Sequence, residues 1–151
     1  CCVCLNDLDD AENPLLECSG CKLTVHQFCC GEAVKKKSAF SCSRCSLLAP
    51  SETQSARCYL CPVEGGFLKR AVTGEWLHLQ CALWIDEIRF DQPEKLDEIT
   101  GVQDVSKDRL KLVCQICKQE GRGACIQCKK GGCFAAFHVT CAQLAGCHLA
   151  I

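Results

Sequence analysis

The stretch CSGCKLTVHQFC, residues 18–29, places a Cys pair, a His and a further Cys at short, regular intervals. Cys18 and Cys21 are three positions apart, and His26 precedes Cys29 by the same step. A tight turn can point two such side chains at one metal ion, and thiolate sulfur with imidazole nitrogen is a ligand set that suits zinc. This stretch therefore predicts that zinc organises the fold.

The same two steps recur along the chain. Further C-x2-C pairs are Cys1/Cys4, Cys42/Cys45, Cys58/Cys61, Cys114/Cys117 and Cys125/Cys128, and further H-x2-C pairs are His78/Cys81 and His138/Cys141. The disulfide framework of a small secreted domain predicts an even number of Cys and no fixed relation to His. This chain has 19 Cys, and three of its 4 His stand three positions before a Cys. The pattern favours zinc over disulfides.

The composition agrees with a fold that depends on its cysteines. Cys supplies more than a quarter of the 48% apolar residues in this 151-residue chain, and without it the apolar share falls below that of ordinary domains. We therefore expect metal sites to replace one large core.

No apolar run approaches the length of about 18 residues that a transmembrane helix needs, so we expect no membrane partner. The chain opens on Cys1 without a signal-peptide pattern, and we expect it to be an excised fragment.

The order of the candidate ligands divides the chain into a first module (1–46), a linker (47–57), a second module with a connector (58–113) and a third module (114–151). Modules one and three form an internal repeat, because Cys133, His138 and Cys141 follow one another at the same offsets as Cys21, His26 and Cys29. This register selects Cys128 and Cys133 as ligands and leaves Cys125 as a packed spare. The third module lacks two ligands, which we expect to lie beyond its end.

Secondary structure is expected to be short hairpins and turns, in a small, zinc-stabilised, loop-rich α+β fold. In the connector, Leu96, Ile99 and Val102 stand at roughly helical spacing, and "RLKLV" (109–113) alternates like a strand. A helix is expected in "VTCAQLAG" (139–146).

The first module places its His fifth among eight ligands, which resembles the PHD finger rather than a RING finger or a LIM domain. The resemblance implies a cross-brace, in which alternate ligand pairs share an ion. One ion would be held by Cys1, Cys4, His26 and Cys29, and the other by Cys18, Cys21, Cys42 and Cys45.

The whole chain resembles the cassette of PHD finger, zinc knuckle and extended PHD finger called PZP, which occurs in peregrin-type bromodomain-and-PHD-finger proteins, in Jade proteins and in related chromatin proteins. Matching stretches are "ENPLLECSGC" (12–21), "GEWLHLQCALWIDEIRF" (74–90) and "FHVTCAQLAG" (137–146). The resemblance implies tandem PHD-type fingers joined by a single-zinc knuckle. We expect three complete zinc sites and a fourth that is incomplete. The remaining ligands would be Cys58, Cys61, His78 and Cys81 in the knuckle, and Cys114, Cys117, His138 and Cys141 with Cys128 and Cys133 in the third module.

The resemblance implies a non-catalytic, nuclear reader of the unmodified histone H3 tail within a larger histone-modifying complex. Such a tail would add as a strand beside "PLLEC" (14–18), with contacts from Asp7, Asp9, Asp10, Glu12, Leu15, Leu16 and Glu17. Residues 5–18 contain no aromatic side chain, so they cannot build the cage that trimethyl-lysine needs. Zinc-bound thiolates make residues 1–57 and 58–113 acidic, which favours a basic partner.

Related extended PHD fingers can bind DNA without sequence preference, and the candidates here are Lys118, Arg122, Lys129 and Lys130. The run Lys35–Lys37 is expected to be a solvated loop.

Two alternatives stay open: a RING-like ubiquitin ligase, and a purely structural scaffold module of a histone-modifying complex. A zinc hydrolase is disfavoured, because catalytic zinc needs an open coordination position.

Overall fold

Short strands and helices joined by loops make up the structure, a computed structural model that describes residues 1–31 and 40–149. The run Lys35–Lys37 lies outside these residues. The strands are β1 Leu15–Glu17, β2 Thr24–His26, β3 Leu68–Arg70, β4 Trp76–His78, β5 Arg89–Gln92, β6 Asp97–Thr100, β7 Cys125–Gln127 and β8 Ala136–His138. The helices are α1 Gln27–Cys30, α2 Ser43–Leu47, α3 Leu79–Trp84, α4 Lys107–Lys111 and α5 Val139–Leu144, with 3-10 turns at Pro93–Lys95 and Val102–Asp104. The predicted loop-rich α+β class is confirmed.

One unit, an antiparallel hairpin followed by a short helix, occurs three times. The hairpins are β1–β2, β3–β4 and β7–β8, and the helices that follow them are α1, α3 and α5. Each second strand ends on a His, namely His26, His78 and His138, whose extended backbone leads directly into the helix. The repeat predicted between the first and third modules therefore also includes the knuckle.

The connector forms a hairpin where helical spacing had been expected, so the predicted helix around Ile99 is wrong. β5 pairs with β6, with Phe90 opposite the fully buried Ile99. Leu96, Glu98 and Gly101 all have positive φ, which a right-handed helix does not accommodate. Burial of Ile99 between the hairpin and the knuckle outweighs the local spacing.

The stretch 109–113 was predicted as a strand, and this is also wrong, because α4 covers most of it. Ser106 begins this helix by accepting a hydrogen bond from the Asp108 N–H to its hydroxyl at 3.2 Å. Arg109 and Lys111 lie in the last turn, where positive charge favours the helix dipole. The helix predicted after His138 is confirmed as α5.

The knuckle lies between the other two modules and contributes side chains to the cores of both. Phe67 and Leu79, which flank its hairpin, are fully buried in the apolar cluster of the first module with Leu16 and Val25. A second cluster joins knuckle residues to connector and third-module residues. It contains Leu60, Leu68, Leu77, Ile85, Ile88, Ile99, Val102, Val105, Ala124 and Val139. The three modules are therefore packed together through the knuckle.

The backbone carbonyl of Lys95 is contacted by both the knuckle and the first module. The Lys69 side chain is 2% exposed, and its ammonium donates to the Lys95 carbonyl oxygen at 2.7 Å. Gly31 of the first module packs against the same carbonyl so closely that a Cβ on Gly31 would lie 2.1 Å from the oxygen. Only a residue without a side chain permits this approach of the first module to the connector.

Arg109 clamps the third module to the connector. Its guanidinium pairs with Glu87 at 2.9 Å and Asp86 at 3.1 Å and donates to the Cys125 carbonyl at 3.4 Å. Glu87 also accepts from the Ser106 N–H at 3.1 Å. Burial raises the pKa of Glu87, but the hydrogen bonds from Arg109 and Ser106 outweigh burial and hold its pKa below the ordinary value.

Within the described residues, no helix has the length and hydropathy to cross a bilayer.

Glu87→Gln should lower the free energy of unfolding by about 1–2 kcal/mol, because it replaces charge-assisted hydrogen bonds with neutral ones. The depressed pKa keeps Glu87 ionised in the folded chain, so the stability it contributes is lost only as pH falls through that low pKa. The difference between wild type and variant should therefore be constant from about pH 8 to about pH 5.5. Urea denaturation with zinc present measures it. Asp86→Asn, at the exposed partner of Arg109, is the control and should cost less than about 0.5 kcal/mol; an equal cost for both variants would contradict the assignment.

Candidate metal centres and binding surfaces

Cys and His side chains come together in four clusters of four. In each cluster the candidate ligand atoms lie within 4.8 Å of one another. The clusters are Cys1, Cys4, His26 and Cys29; Cys18, Cys21, Cys42 and Cys45; Cys58, Cys61, His78 and Cys81; and Cys114, Cys117, His138 and Cys141. Three combine one imidazole with three thiols, and one has four thiols, which are the common ligand sets of structural zinc.

The expected count of three complete sites is corrected to four, because the third module contains a complete cluster of its own. Cys128 and Cys133 stand outside it, and in the described residues no group of three or more candidate ligands includes them. They do lie together, since the Cys133 thiol hydrogen-bonds to Cys128, and the Lys130 backbone N–H is the first of the groups that lower the pKa of Cys128. The pair therefore remains an incomplete fifth group.

Each imidazole directs one nitrogen at its cluster and is oriented by a hydrogen bond to a backbone group outside the cluster. The Nδ1 atoms of His26, His78 and His138 lie 3.3, 3.1 and 3.4 Å from the sulfur of the second Cys in their clusters. The Nε2 atoms of His26 and His78 lie 2.8 Å from the carbonyl oxygens of Leu8 and Gly65, and His138 hydrogen-bonds to the backbone of Arg122. A carbonyl partner requires the proton on Nε2, which leaves the Nδ1 lone pair for a metal.

The hairpin–helix unit explains why His and Cys converge. The His ends the second strand, and the Cys three positions later lies one turn into the helix, on the same side. In each of the three His-containing clusters, the first Cys accepts a hydrogen bond from the backbone N–H of the His. The N–S distances are 3.4 Å for His26 to Cys1, 3.2 Å for His78 to Cys58, and 3.5 Å for His138 to Cys114. Such bonds spread the negative charge of a thiolate.

The four-thiol cluster uses the same geometry without an imidazole. Cys42 precedes α2, and Cys45 follows one turn later. Burial would raise the pKa of the Cys18 thiol, but the backbone N–H groups of Cys42, Cys21 and Gly20 point at its sulfur and lower its pKa to about 6. A thiol of this kind is readily present as the thiolate that zinc requires.

The chemistry of these clusters fits structural zinc. Four protein ligands close the coordination shell and leave no position for a water or a substrate. A zinc ion in such a site can supply on the order of 10 kcal/mol of folding free energy in zinc-finger peptides. The clusters therefore fit ions that hold the loops together.

The spare thiol predicted at Cys125 lies in β7 with no exposed surface, and its sulfur is 3.6 Å from the Leu112 carbonyl oxygen. Burial raises its pKa to about 12. Cys30 is equally buried and bonds to the Gln27 carbonyl at 3.2 Å. Both are packed as apolar residues.

The first hairpin presents an unpaired strand edge. Cys18 N–H bonds to Leu23, and Pro14 carbonyl accepts from Gln27, so alternation along the ladder directs the backbone groups of Leu15 and Glu17 away from β2. In the described residues no strand pairs with this outer edge of β1. The side chain of Leu16 is 1% exposed and belongs to the core, so it does not reach the edge.

The predicted acidic residues lie in the loop before β1 and on the strand itself. Asp9 accepts from the outward N–H of Leu15 at 2.8 Å, and Asp10 accepts from the Glu12 N–H at 2.9 Å. Glu17 pairs with Lys22 at 3.3 Å. Asp7 is exposed. The carboxylate of Asp9 thus lies directly at the open edge. The sequence predicted Asp9 as a contact residue but did not predict its hydrogen bond to the Leu15 N–H.

The four predicted basic residues are exposed but do not share one groove. Arg122 lines a groove with Tyr59 and Trp76 of the knuckle. Lys129 lines a different groove with Trp84. Lys118 and Lys130 line neither of them.

Comparison with known proteins agrees with these features. A family model described as a PHD-zinc-finger-like domain matches residues 56–151, which is more than half of the chain. The crystal structure of the zebrafish PHF14 PZP superposes with a TM-score of 0.77, at 33% identity, over 95% of this chain and 73% of that one. The resemblance to PZP cassettes is therefore confirmed.

Two curated relatives extend this similarity. The human bromodomain and PHD finger-containing protein 3 is 45% identical over 100% of this chain and 12% of its own length. The Arabidopsis histone H3-lysine(4) N-trimethyltransferase ATX1 is 43% identical over 97% of this chain and 14% of its own length. The chain thus spans less than a sixth of either relative.

Native mass spectrometry should find four zinc ions per chain. Cys61→Ser should lose one ion, because it removes a ligand from the knuckle cluster. Cys125→Ser removes a buried thiol outside the clusters and should keep four. Three ions in the wild type, or no loss in the Cys61 variant, would contradict the assignment of four closed sites.

Proposed function

The chain belongs to the PHD-zinc-finger-like family, and on that premise we propose that it is a non-catalytic chromatin reader that binds the unmodified N-terminal tail of histone H3. Its relatives are chromatin-associated proteins, so the chain would act in the nucleus as part of a larger histone-modifying complex. The proposed division is a PHD finger (1–46), a linker (47–57), a knuckle with its connector (58–113) and an extended PHD finger (114–151).

The observation that carries this proposal is the open edge of β1. The outward carbonyl of Leu15 and the outward N–H and carbonyl of Glu17 can bond an added strand, whereas the Leu15 N–H already donates to Asp9. Main-chain pairing of this kind supplies affinity for an extended peptide. The hairpin is held from behind by the buried side chains of Leu16 and Val25. The edge is thus rigid before a peptide arrives, which lowers the cost of ordering on binding.

Carboxylates beside this edge support a cationic peptide as the ligand. Asp9 is tied to the Leu15 N–H, at the place where an added strand would run. Asp10 is fixed by the Glu12 N–H, and Asp7 is exposed in the same loop. Fixed carboxylates attract lysine and arginine side chains and pair with them in a defined register. The H3 tail is extended and rich in both.

The surroundings of the edge support a preference for unmodified lysine. Residues 5–18 contain no aromatic side chain. Phe40 is 4% exposed and lies in the core of the first module, and Phe28 is the one exposed aromatic of the described first module. A trimethyl-lysine cage needs several aromatic faces around one cation, and a single Phe cannot form it. Carboxylates instead favour an ammonium group that can donate hydrogen bonds.

An unmodified H3 tail peptide should bind the chain in a calorimetric titration, and trimethylation of the lysine at its fourth position should weaken binding. Asp9→Asn with Asp10→Asn should cost about 1–3 kcal/mol of binding free energy, because the amides still accept from Leu15 and Glu12 but remove the two charges. Asp108→Asn, at an exposed carboxylate of α4, is the control and should leave affinity unchanged.

Two outcomes would contradict the proposal. No heat with unmodified peptide at high micromolar concentration would leave the scaffold alternative, and tighter binding of the trimethylated peptide would exclude the carboxylate mechanism. Ligase activity in an autoubiquitination assay would support the RING-like alternative instead.

DNA contact by the third module is a second candidate function. Lys118, Arg122, Lys129 and Lys130 are exposed, and none takes part in an ion pair within residues 1–31 and 40–149. Residues 114–151 carry these four basic residues and one acidic residue, for a formal charge of +3. Zinc in the complete cluster is bound by three thiolates, so it removes only about one unit of positive charge. The module keeps a positive charge that phosphates can neutralise.

Binding of the chain to duplex DNA should weaken as salt rises. Lys129→Glu with Lys130→Glu should reduce the slope of log affinity against log salt by about 2, since each lysine accounts for about one phosphate contact. Lys107→Glu with Lys111→Glu, on α4 of the connector, changes the net charge equally and should leave the slope nearly unchanged. Fluorescence anisotropy measures both. Equal slopes for the two variants would show that net charge, rather than this loop, attracts DNA.

A further inference from the structure

Phe134 is the most exposed large apolar side chain of the described residues, with 85% of its surface accessible. It lies between β7 and β8 at the end of the loop CKKGGCF, residues 128–134, directly after Cys133. Its ring therefore takes no part in the apolar clusters of the fold. The zinc clusters and the open edge of β1 do not use it either.

Two backbone hydrogen bonds hold this loop in shape. Cys128 N–H donates to the Ala135 carbonyl at 2.9 Å and closes the base of the loop. Cys133 N–H donates to the Lys130 carbonyl at 2.9 Å and closes a tighter turn within it. Phe134 is thus attached to a fixed backbone, so a ligand that packs on its ring does not have to order the loop first.

Positive charge lies in the same loop as the Phe134 ring, and one of the lysines of this loop also lines a groove with an aromatic wall. Lys129 and Lys130 belong to the same loop and are exposed. Lys129 also lines a groove of about 510 Å³ whose apolar walls include Trp84 and Ile126. Asp86 at this groove is paired with Arg109 at 3.1 Å, and because Arg109 also pairs with Glu87, the two carboxylates keep about one net negative charge. The surface thus combines exposed aromatic and apolar faces with cations.

This combination fits a nucleic acid whose bases are unpaired. The faces of duplex bases are stacked on one another, and an aromatic ring on a surface loop cannot reach them. Bases of a single strand expose their faces, and proteins bind them by stacking on aromatic side chains while lysines contact the phosphates.

We propose that the loop 128–134 binds single-stranded DNA, with one base stacked on Phe134 and the flanking phosphates contacted by Lys129 and Lys130. This inference deepens the proposed DNA contact of the third module and rests on it. It predicts that the module prefers unpaired DNA over a duplex, which phosphate contacts alone would not produce.

The test compares a labelled dT12 oligonucleotide with the same strand annealed to dA12, by fluorescence anisotropy at fixed salt with the whole zinc-loaded chain. Phe134→Ala should weaken binding of dT12 about tenfold and change duplex binding less than twofold. Phe28→Ala removes another exposed ring, 64% accessible, that lies beside the acidic loop of the first module, and it should leave both affinities unchanged. Zinc stoichiometry by native mass spectrometry verifies that each variant is folded.

The outcomes separate the inference from the function on which it rests. Duplex binding with an unchanged dT12 affinity in Phe134→Ala would overturn the stacking and leave the phosphate contact standing. Absence of binding to both oligonucleotides in the wild type would overturn both. Phe134→Leu should resemble Phe134→Ala, because it restores apolar surface without an aromatic face; full recovery of dT12 binding in this variant would also overturn the stacking.

Discussion

Convergence of thiol sulfurs and imidazole nitrogens on four points is the constraint from which the rest of the structure follows. Two of the three apolar clusters are small, and all three include cysteines of the metal clusters. Zinc in closed sites provides folding free energy that such cores cannot supply. Backbone carbonyls at Leu8 and Gly65 orient the imidazoles, so loops far apart in sequence are fixed by the same centres.

The knuckle joins the metal-bound modules, because its side chains pack into the apolar clusters of both neighbours. Phe67 and Leu79 pack into the first module, while Leu60 packs with Ala124 of the third. The Ala124 N–H donates to the Leu60 carbonyl at 3.0 Å. The open edge of β1 and the basic loop of the third module are therefore held at a fixed separation. A framework of this kind would suit the proposed contacts with a histone tail and with DNA, because the second contact would become intramolecular.

The four clusters bring together Cys and His pairs that ligand spacing had grouped, because a tight turn or a helical turn places side chains three positions apart on the same side of the backbone. The same spacing did not reveal that the knuckle repeats the hairpin–helix unit, although His78 and Cys81 carried the signal. The connector was mispredicted at Ile99 and at 109–113. At Ile99, burial against the knuckle decides the conformation and depends on contacts distant in sequence. At 109–113 the deciding contact is local, because the Ser106 hydroxyl accepts from the Asp108 N–H two positions later and begins α4. The edge position of Asp9 and the carbonyls that orient the imidazoles have no pattern of their own in the sequence.

Zinc K-edge X-ray absorption of the folded chain tests the central claim most directly, because it counts the atoms around the metal. The four clusters contain thirteen cysteines and three histidines. Divided over four ions, these ligands predict an average first shell of about 3.25 sulfurs and about 0.75 nitrogens per zinc, with Zn–S distances near 2.3 Å and no oxygen ligand. A shell containing water or carboxylate oxygen, or folded material with disulfides and no bound zinc, would contradict it.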